Sequence, residues 1–216
     1  MNIAIFGATG LAGSAIVTEA LTRGHSATAI ARNLDANAER PGVTPHQLDV
    51  TNVPDAAGLA PALAGADAAV LTVRLAPGDT AGLLAVTTRF LDATERAGIR
   101  ALIVGGVAPL HSPGQPSLLV VDDPTFIPPE WRAIAQASLA QFHVWSEHQG
   151  ASSMYLSPPA VLEPGERTGR YRRGTAEILV DAGGASRIAA PDLAVAVLDA
   201  LESPVTDRHF TVAAAE

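Results

Sequence analysis

Short apolar runs alternate along this chain with longer segments in which apolar residues recur every three or four positions. Asn2-Ile3-Ala4-Ile5-Phe6 has the length of a strand, and Gly7-Ala8-Thr9-Gly10-Leu11-Ala12-Gly13 follows at once. Residues 14–21 then read as a helix stopped by Gly24, and residues 26–31 as a second strand. A third strand is expected over 44–48, a helix over 54–63, and a fourth strand over 66–73, apolar enough for burial on both faces. Leu83, Leu84, Val86, Phe90 and Leu91 give helical spacing to 80–97, Gly98 ends that helix, and 99–104 supplies a fifth strand. The helical period returns over 131–148, with Ile134, Leu139, Phe142 and Trp145 as its expected buried side. A sixth strand over 154–156 is stopped by Pro158-Pro159, and the remainder mixes short strands and turns with a helix over 191–201. This alternation predicts an α/β protein: a doubly wound fold with a mainly parallel sheet. No repeat, low-complexity tract or linker divides the 216 residues, so one domain is expected. Its core would span about 1–158, with a small substrate-covering region and closing elements over about 159–216.

The first strand, glycine turn and helix carry the clearest chemistry. Such an opening belongs to a dinucleotide-binding βαβ unit, a Rossmann fold. Gly7 allows the tight turn, Gly10 lets a phosphate approach the backbone, and Gly13 lets the helix pack close to the strand. With Thr9, Leu11 and Ala12 these residues form the predicted pyrophosphate cradle at a helix N-terminus. NAD-specific sites place a carboxylate after the second strand; here the residues are Ala31, Arg32 and Asn33. A guanidinium matches a 2′-phosphate in charge and geometry, which favours NADP(H) over NAD(H). In a doubly wound sheet Leu71, Thr72 and Val73, at the end of the fourth strand, and Gly105-Gly106, after the fifth, should also face the cofactor. Arg74 is open to a phosphate, a substrate acid or plain solvent. Six of the 16 prolines fall between Pro109 and Pro129, an irregular stretch expected to cover the site.

Composition removes several classes of function. The formal net charge of −8 argues against nucleic acid or an anionic membrane as a partner. The apolar runs fall short of the ~20 residues of a membrane span, no basic-apolar leader precedes the first strand, and a cytoplasmic location is expected. Without cysteine there is no disulfide, thiolate metal site or cysteine nucleophile. His143 and Glu147 are four apart but lack a third ligand, so no metal is expected. All 14 basic residues are arginines, so no Schiff base, Walker lysine or Tyr-Lys pair can form.

The Gly-Ala-Thr-Gly form of the turn resembles that of the atypical and extended short-chain dehydrogenase/reductases. Leu156-Ser157-Pro158, Glu163-Pro164-Gly165-Glu166-Arg167-Thr168-Gly169-Arg170-Tyr171-Arg172 and Ser186-Arg187-Ile188 look like segments of the NADH-flavin reductase-like members. These are relatives of biliverdin reductase B and, more distantly, of NmrA-like proteins. The resemblance spans nearly the whole chain. It implies that Asp49, after the third strand, lies near the adenine, although the same residue can cap a loop turn. In the Glu163–Arg172 stretch, Glu166 and Arg167 could orient a substrate loop or brace the fold. The typical family has a serine after the fifth strand and Tyr-x-x-x-Lys on the next helix. Here Val107-Ala108 stands at the first position, and Ala135 and Leu139 at the pair. A general acid worth ~10²–10⁴ in rate is therefore missing. A flavin-like acceptor, FMN or riboflavin among them, needs chiefly positioning over the nicotinamide. The resemblance thus implies an NADPH-dependent reductase of small planar acceptors. Val107, Pro109, Trp131 and Pro158 are the candidate acceptor-binding residues, and His111 is a candidate proton donor. Two readings compete with this one: an NADP-dependent epimerase or dehydratase, and a non-catalytic NADP(H) sensor of NmrA type.

Overall fold

The computed structural model describes residues 1–34, 40–148, 150, 152–205 and 207–215. In chain order the elements are β1 (Asn2–Phe6), α1 (Leu11–Thr22), β2 (Ser26–Ala31), β3 (Val43–Gln47), α2 (Ala60–Leu63), β4 (Ala68–Leu71), α3 (Thr80–Ala97) and β5 (Arg100–Val104). The small strands β6 (His111–Ser112) and β7 (Gln115–Leu119) precede α4 (Arg132–Glu147) and β8 (Ser153–Ser157). Then come β9 (Val161–Glu163), β10 (Tyr171–Gly174), β11 (Arg187–Ala189), α5 (Ala190–Glu202) and β12 (His209–Ala214).

Eight strands form the main sheet in the order β10-β12-β8-β5-β4-β1-β2-β3. Every pairing in it is parallel except that of the edge strand β10 with β12. The chain runs outward from β1 through β2 to β3, then returns to the other side of β1 as β4. At that reversal a crevice opens beyond the carboxyl ends of the strands.

Alternate residues of each central strand enter opposite cores. Ile3, Ile5, Val70 and Leu102 pack with α1 and α5, while Ala4, Phe6, Leu71, Ile103 and Tyr155 pack with α3 and α4. Burial on both faces is why these strands read as unbroken apolar runs. At the end of α3, Gly98 takes φ +66 and supplies the left-handed cap that stops the helix.

Four expectations change. α1 begins at Leu11, inside the glycine turn, rather than at Ser14. Residues 54–63 form a 3-10 turn (Ala56–Leu59), started by the Asp55 carboxylate accepting from the Gly58 N–H, and only one α-helical turn. The buried stripe of α4 runs through Ala135, Gln141 and Trp145, whereas Ile134 is 42% exposed. Alanine lets α4 sit close beneath the 107–121 segment, where Ala108, Val121 and Ala135 cluster, and this turns Ile134 outward. Finally, the proline-rich stretch is packed rather than loose. The hairpin β6–β7 has its own core of Val107, Leu110, Val120 and Ile178. It is pinned by a buried Ser112–Asp123 hydrogen bond of 2.7 Å and by His111 backbone bonds to Ala176 and Ile178.

Candidate cofactor cleft and acceptor cavity

Two cavities meet at the sheet reversal. The first, of about 300 Å³, is lined by Gly7, Thr9, Gly10, Leu11 and Ala12 from the turn and by Arg32 after β2. Asp49 and Thr51 after β3, and Thr72 to Leu75 after β4, complete its floor and far wall. The second, of about 260 Å³, is mostly apolar and opens beside it. Val73, Arg74, Leu75, Val104, Gly105 and Pro158 line both, so anything in one lies against the contents of the other.

The glycine turn is shaped by close backbone contacts. Gly7 has φ +87, and a Cβ there would stand 2.6 Å from Thr72 Oγ1. A Cβ on Gly13 would stand 2.1 Å from the Gly7 carbonyl oxygen, so α1 can begin where it does only because residue 13 has no side chain. Gly10 is the N-cap of α1 and no side chain caps the helix, whose first turn also holds no acidic residue. The first-turn N–H groups and the positive end of the helix dipole are left for an external anion. Thr72 Oγ1 donates to the Phe6 carbonyl at 2.9 Å, tying the floor of the cleft to β1.

Arg32 is exposed on the cleft wall. Asp49 faces the same cleft, but its carboxylate accepts from the Thr51 N–H at 3.0 Å, the Thr51 hydroxyl at 2.7 Å and Asn52 Nδ2 at 3.1 Å. The Thr51 hydrogen bonds hold its carboxyl below the usual carboxylate range, and the charge of Arg32 adds a smaller effect. The acid is thus occupied with its own turn, while the guanidinium is free to meet an anion. The residues present fit the phosphate backbone of a dinucleotide.

The second cavity, the candidate acceptor site, is built from five separate stretches. Ala76 to Asp79 and Leu83 form one side, Gly106 and Val107 the back, and Ile127, Trp131 and Ile134 the outer rim. Ala135, Ser138 and Gln141 of α4 and Pro158 to Ala160 close it. Ala135, near which the tyrosine of a typical short-chain reductase is expected, lines this cavity and contributes only a methyl group. Among the described residues lining the two cavities the titratable side chains are Arg32, Asp49, Arg74 and Asp79. Asp79 caps α3 through the Gly82 N–H at 3.0 Å.

Several sequence candidates lie off these walls. Leu71 is 1% exposed in the sheet core, Gly13 supports the turn from behind, and Asn33 is exposed and is not among the residues lining the cleft. Pro109 is buried in the hairpin segment, where Leu110 belongs to the hairpin core. His111 is held in β6 and lines neither cavity, so the proton-donor role expected of it has no geometric support. Of the 109–129 stretch only Ile127 reaches the acceptor cavity, because the rest is spent on packing the hairpin. Conversely, Ser138, Gln141 and the 75–79 loop were not singled out, since a polar residue on a helix gives no local signal of facing a cavity.

Two polar clusters prove to be structural. The Glu163–Arg172 stretch is a brace rather than a substrate loop. Arg167 donates to Glu19 at 2.7 and 2.9 Å, and the Thr168 N–H, Thr168 hydroxyl and Gly169 N–H all donate to Asp192. Arg23 adds Glu19, Asp199 and Glu202 at 2.8 Å each, so α1, α5 and the loop are joined by one ionic network. Ser157 Oγ and His209 Nε2 are 3.0 Å apart, but burial pushes that imidazole down to about 4, and the pair lines neither cavity. Among the described residues no group of histidine, aspartate and glutamate could hold a metal, and no helix is long and apolar enough to cross a membrane.

A doubly wound sheet, a glycine turn opening into an uncapped helix and a cleft across the strand reversal define a dinucleotide-binding protein. The chain belongs to the NAD(P)H-binding family, whose model matches residues 7–204. It is 34% identical over 215 residues to YwnB, an uncharacterized Bacillus subtilis protein, with 98% of each chain covered. Among solved structures it is similar to a Burkholderia pseudomallei protein provisionally named as exported (33% identity, TM-score 0.84, 99% of each chain). A Bacteroides thetaiotaomicron protein provisionally named an epimerase matches at 29% identity and TM-score 0.88, with 100% of this chain and 97% of that one covered. A Streptococcus pneumoniae protein provisionally named an NADH-flavin reductase shares the fold over 100% of both chains, at 24% identity and TM-score 0.85.

Proposed function

We propose that this protein is an NADPH-dependent reductase of small planar acceptors such as flavins. The observation that carries the proposal is the pairing of an apolar cavity with the cofactor cleft, with no tyrosine, lysine, histidine or cysteine among their described lining residues. When bound, a reduced nicotinamide would supply a hydride, which carries both electrons; an acceptor such as a flavin would take it at N5 and one proton from water. The chain's own part is positional. Gly7 and Gly13 shape the turn that receives the pyrophosphate, and Arg32 offers a partner for the 2′-phosphate. Val104, Gly105 and Pro158, shared by both cavities, would keep the two rings in contact. Trp131 and Ile134 give an apolar wall against which a planar ring can lie. Such orientation is worth effective molarities of ~10⁵–10⁸ M, enough to drive a reaction that needs no protein acid.

The solved structure provisionally named an epimerase suggests a second reading, but epimerisation by proton transfer requires a protein acid and base at the substrate carbon. The two carboxylates on the walls, Asp49 and Asp79, are each bonded within their own turn. Steady-state oxidation of NADPH with riboflavin, biliverdin and menadione tests the reading. Turnover of at least one is expected. Tight NADPH binding with turnover of none would replace the reductase by a sensor.

A further inference from the structure

The acceptor cavity has a buried side-chain amide in its wall that a purely hydrophobic slot does not need. Gln141, on the buried face of α4, is 4% exposed and lines the cavity among Ala135, Ala137 and Ser138. Its orientation is set by its neighbours. The Thr87 hydroxyl donates to the Leu83 carbonyl at 2.8 Å, so its oxygen must accept from Gln141 Nε2, 3.1 Å away. On the other side the Tyr155 hydroxyl, itself fully buried, approaches Gln141 Oε1 at 3.4 Å and the Ser138 carbonyl at 3.3 Å. The nitrogen is therefore on the Thr87 side and the oxygen on the Tyr155 side.

A primary amide has two N–H donors and an oxygen with two lone pairs. Thr87 uses one donor and Tyr155 engages at most one lone pair. One N–H and one lone pair remain on a planar group that lines the cavity. Buried polar groups are rarely left without partners. A carbonyl next to an N–H would satisfy both at once, as in a paired amide.

Resting on the reductase reading above, we infer that Gln141 determines acceptor specificity by pairing its side-chain amide with a lactam or imide edge, C(=O)–N–H, of the planar acceptor. Flavins carry such an edge at C4 and N3, next to the reacting N5; bilins carry lactams at their ends. Simple quinones offer carbonyls without the adjacent N–H. Gln141 is thus a recognition residue, and Thr87 and Tyr155 are positioning residues that act through it.

The test compares lumiflavin, N3-methyl-lumiflavin and menadione as acceptors with the wild-type holoenzyme and with Gln141→Leu. Methylation removes the N–H but leaves the ring stacking intact. Wild type is expected to prefer lumiflavin over its N3-methyl analogue by about 10-fold in kcat/KM, the worth of a hydrogen bond with its partner stranded. Gln141→Leu is expected to abolish that preference. The wild-type comparison needs no variant, so a misfolded Gln141→Leu protein does not spare the inference. Equal kcat/KM for the two flavins in wild type overturns the role of Gln141 and leaves the reductase reading standing. Turnover of none of the three acceptors, with NADPH bound, overturns both.

Discussion

The cofactor cleft and the acceptor cavity share a wall, yet they are made in opposite ways. The cleft is dictated by backbone: a glycine with positive φ, a helix that starts uncapped, and a second glycine in contact with the first. Its critical residues lie within seven positions of one another, and each is held to one residue type by sterics. The acceptor cavity is dictated by packing: five stretches, from Val73 to Ala160, contribute mostly apolar side chains that other apolar side chains could replace. A rigid local turn can serve any dinucleotide, whereas a wall assembled from distant loops can be changed piece by piece without disturbing the turn. Chemistry common to the family is expected in the first region and selectivity in the second.

That contrast can be broken most severely at Gly13. A valine there would place Cβ 2.1 Å from the Gly7 oxygen. Gly13→Val should lower NADPH affinity by at least about 100-fold by displacing α1 from the turn, while leaving the acceptor walls in place. Calorimetric titration against a circular-dichroism control for folding checks this, and unimpaired binding would mean the turn does not cradle the pyrophosphate. Arg32→Asp comes next. It should move the NADPH/NADH affinity ratio by about 100-fold toward NADH, because a carboxylate repels the 2′-phosphate and accepts from the 2′-hydroxyl.

The ionic brace gives a smaller effect of a different kind. Hydrogen bonds from Arg167, opposed by burial and assisted by Arg23, hold the Glu19 carboxyl below its ordinary value of 4.5. A depressed carboxylate contributes stability above its unfolded pKa and loses it as pH falls through the folded value. Glu19→Gln should therefore cost about 2 kcal/mol at neutral pH, discounted from a fully buried pair because Arg167 is half exposed. The gap to wild type should close as pH drops below about 4.5, as followed by urea unfolding. The mildest change is on the acceptor side. Trp131 is 55% exposed, so Trp131→Ala should raise the acceptor KM by about 5-fold and leave the NADPH dissociation constant unchanged.

Legibility in the sequence follows the same division. β1, β2 and α3 were readable to the residue because buried strands are continuous apolar runs and Gly98 marks a helix end. The glycine turn and the place of Arg32 on the cleft wall were readable because both follow from adjacent residues at a strand end. The acceptor cavity was not. Trp131 and Pro158 were found, but the helical period pointed to Ile134 as core, while the structure places it on the cavity rim. Gln141 carries no signal in a helix until Thr87 and Tyr155, from two other elements, are known to surround it. The proline-rich stretch misled for a related reason. Prolines mark irregular backbone, but its apolar residues Leu110 and Val120 had a core of their own to fill.

The central claim is that the chain holds an acceptor against one face of the nicotinamide and leaves the chemistry to the cofactor. Turnover of lumiflavin with NADPH deuterated at C4 on one face, then on the other, tests it directly. Label on only one face is expected to slow single-turnover hydride transfer and to pass out of the cofactor. Equal effects from both labels, or oxidation no faster than in protein-free solution, would contradict it.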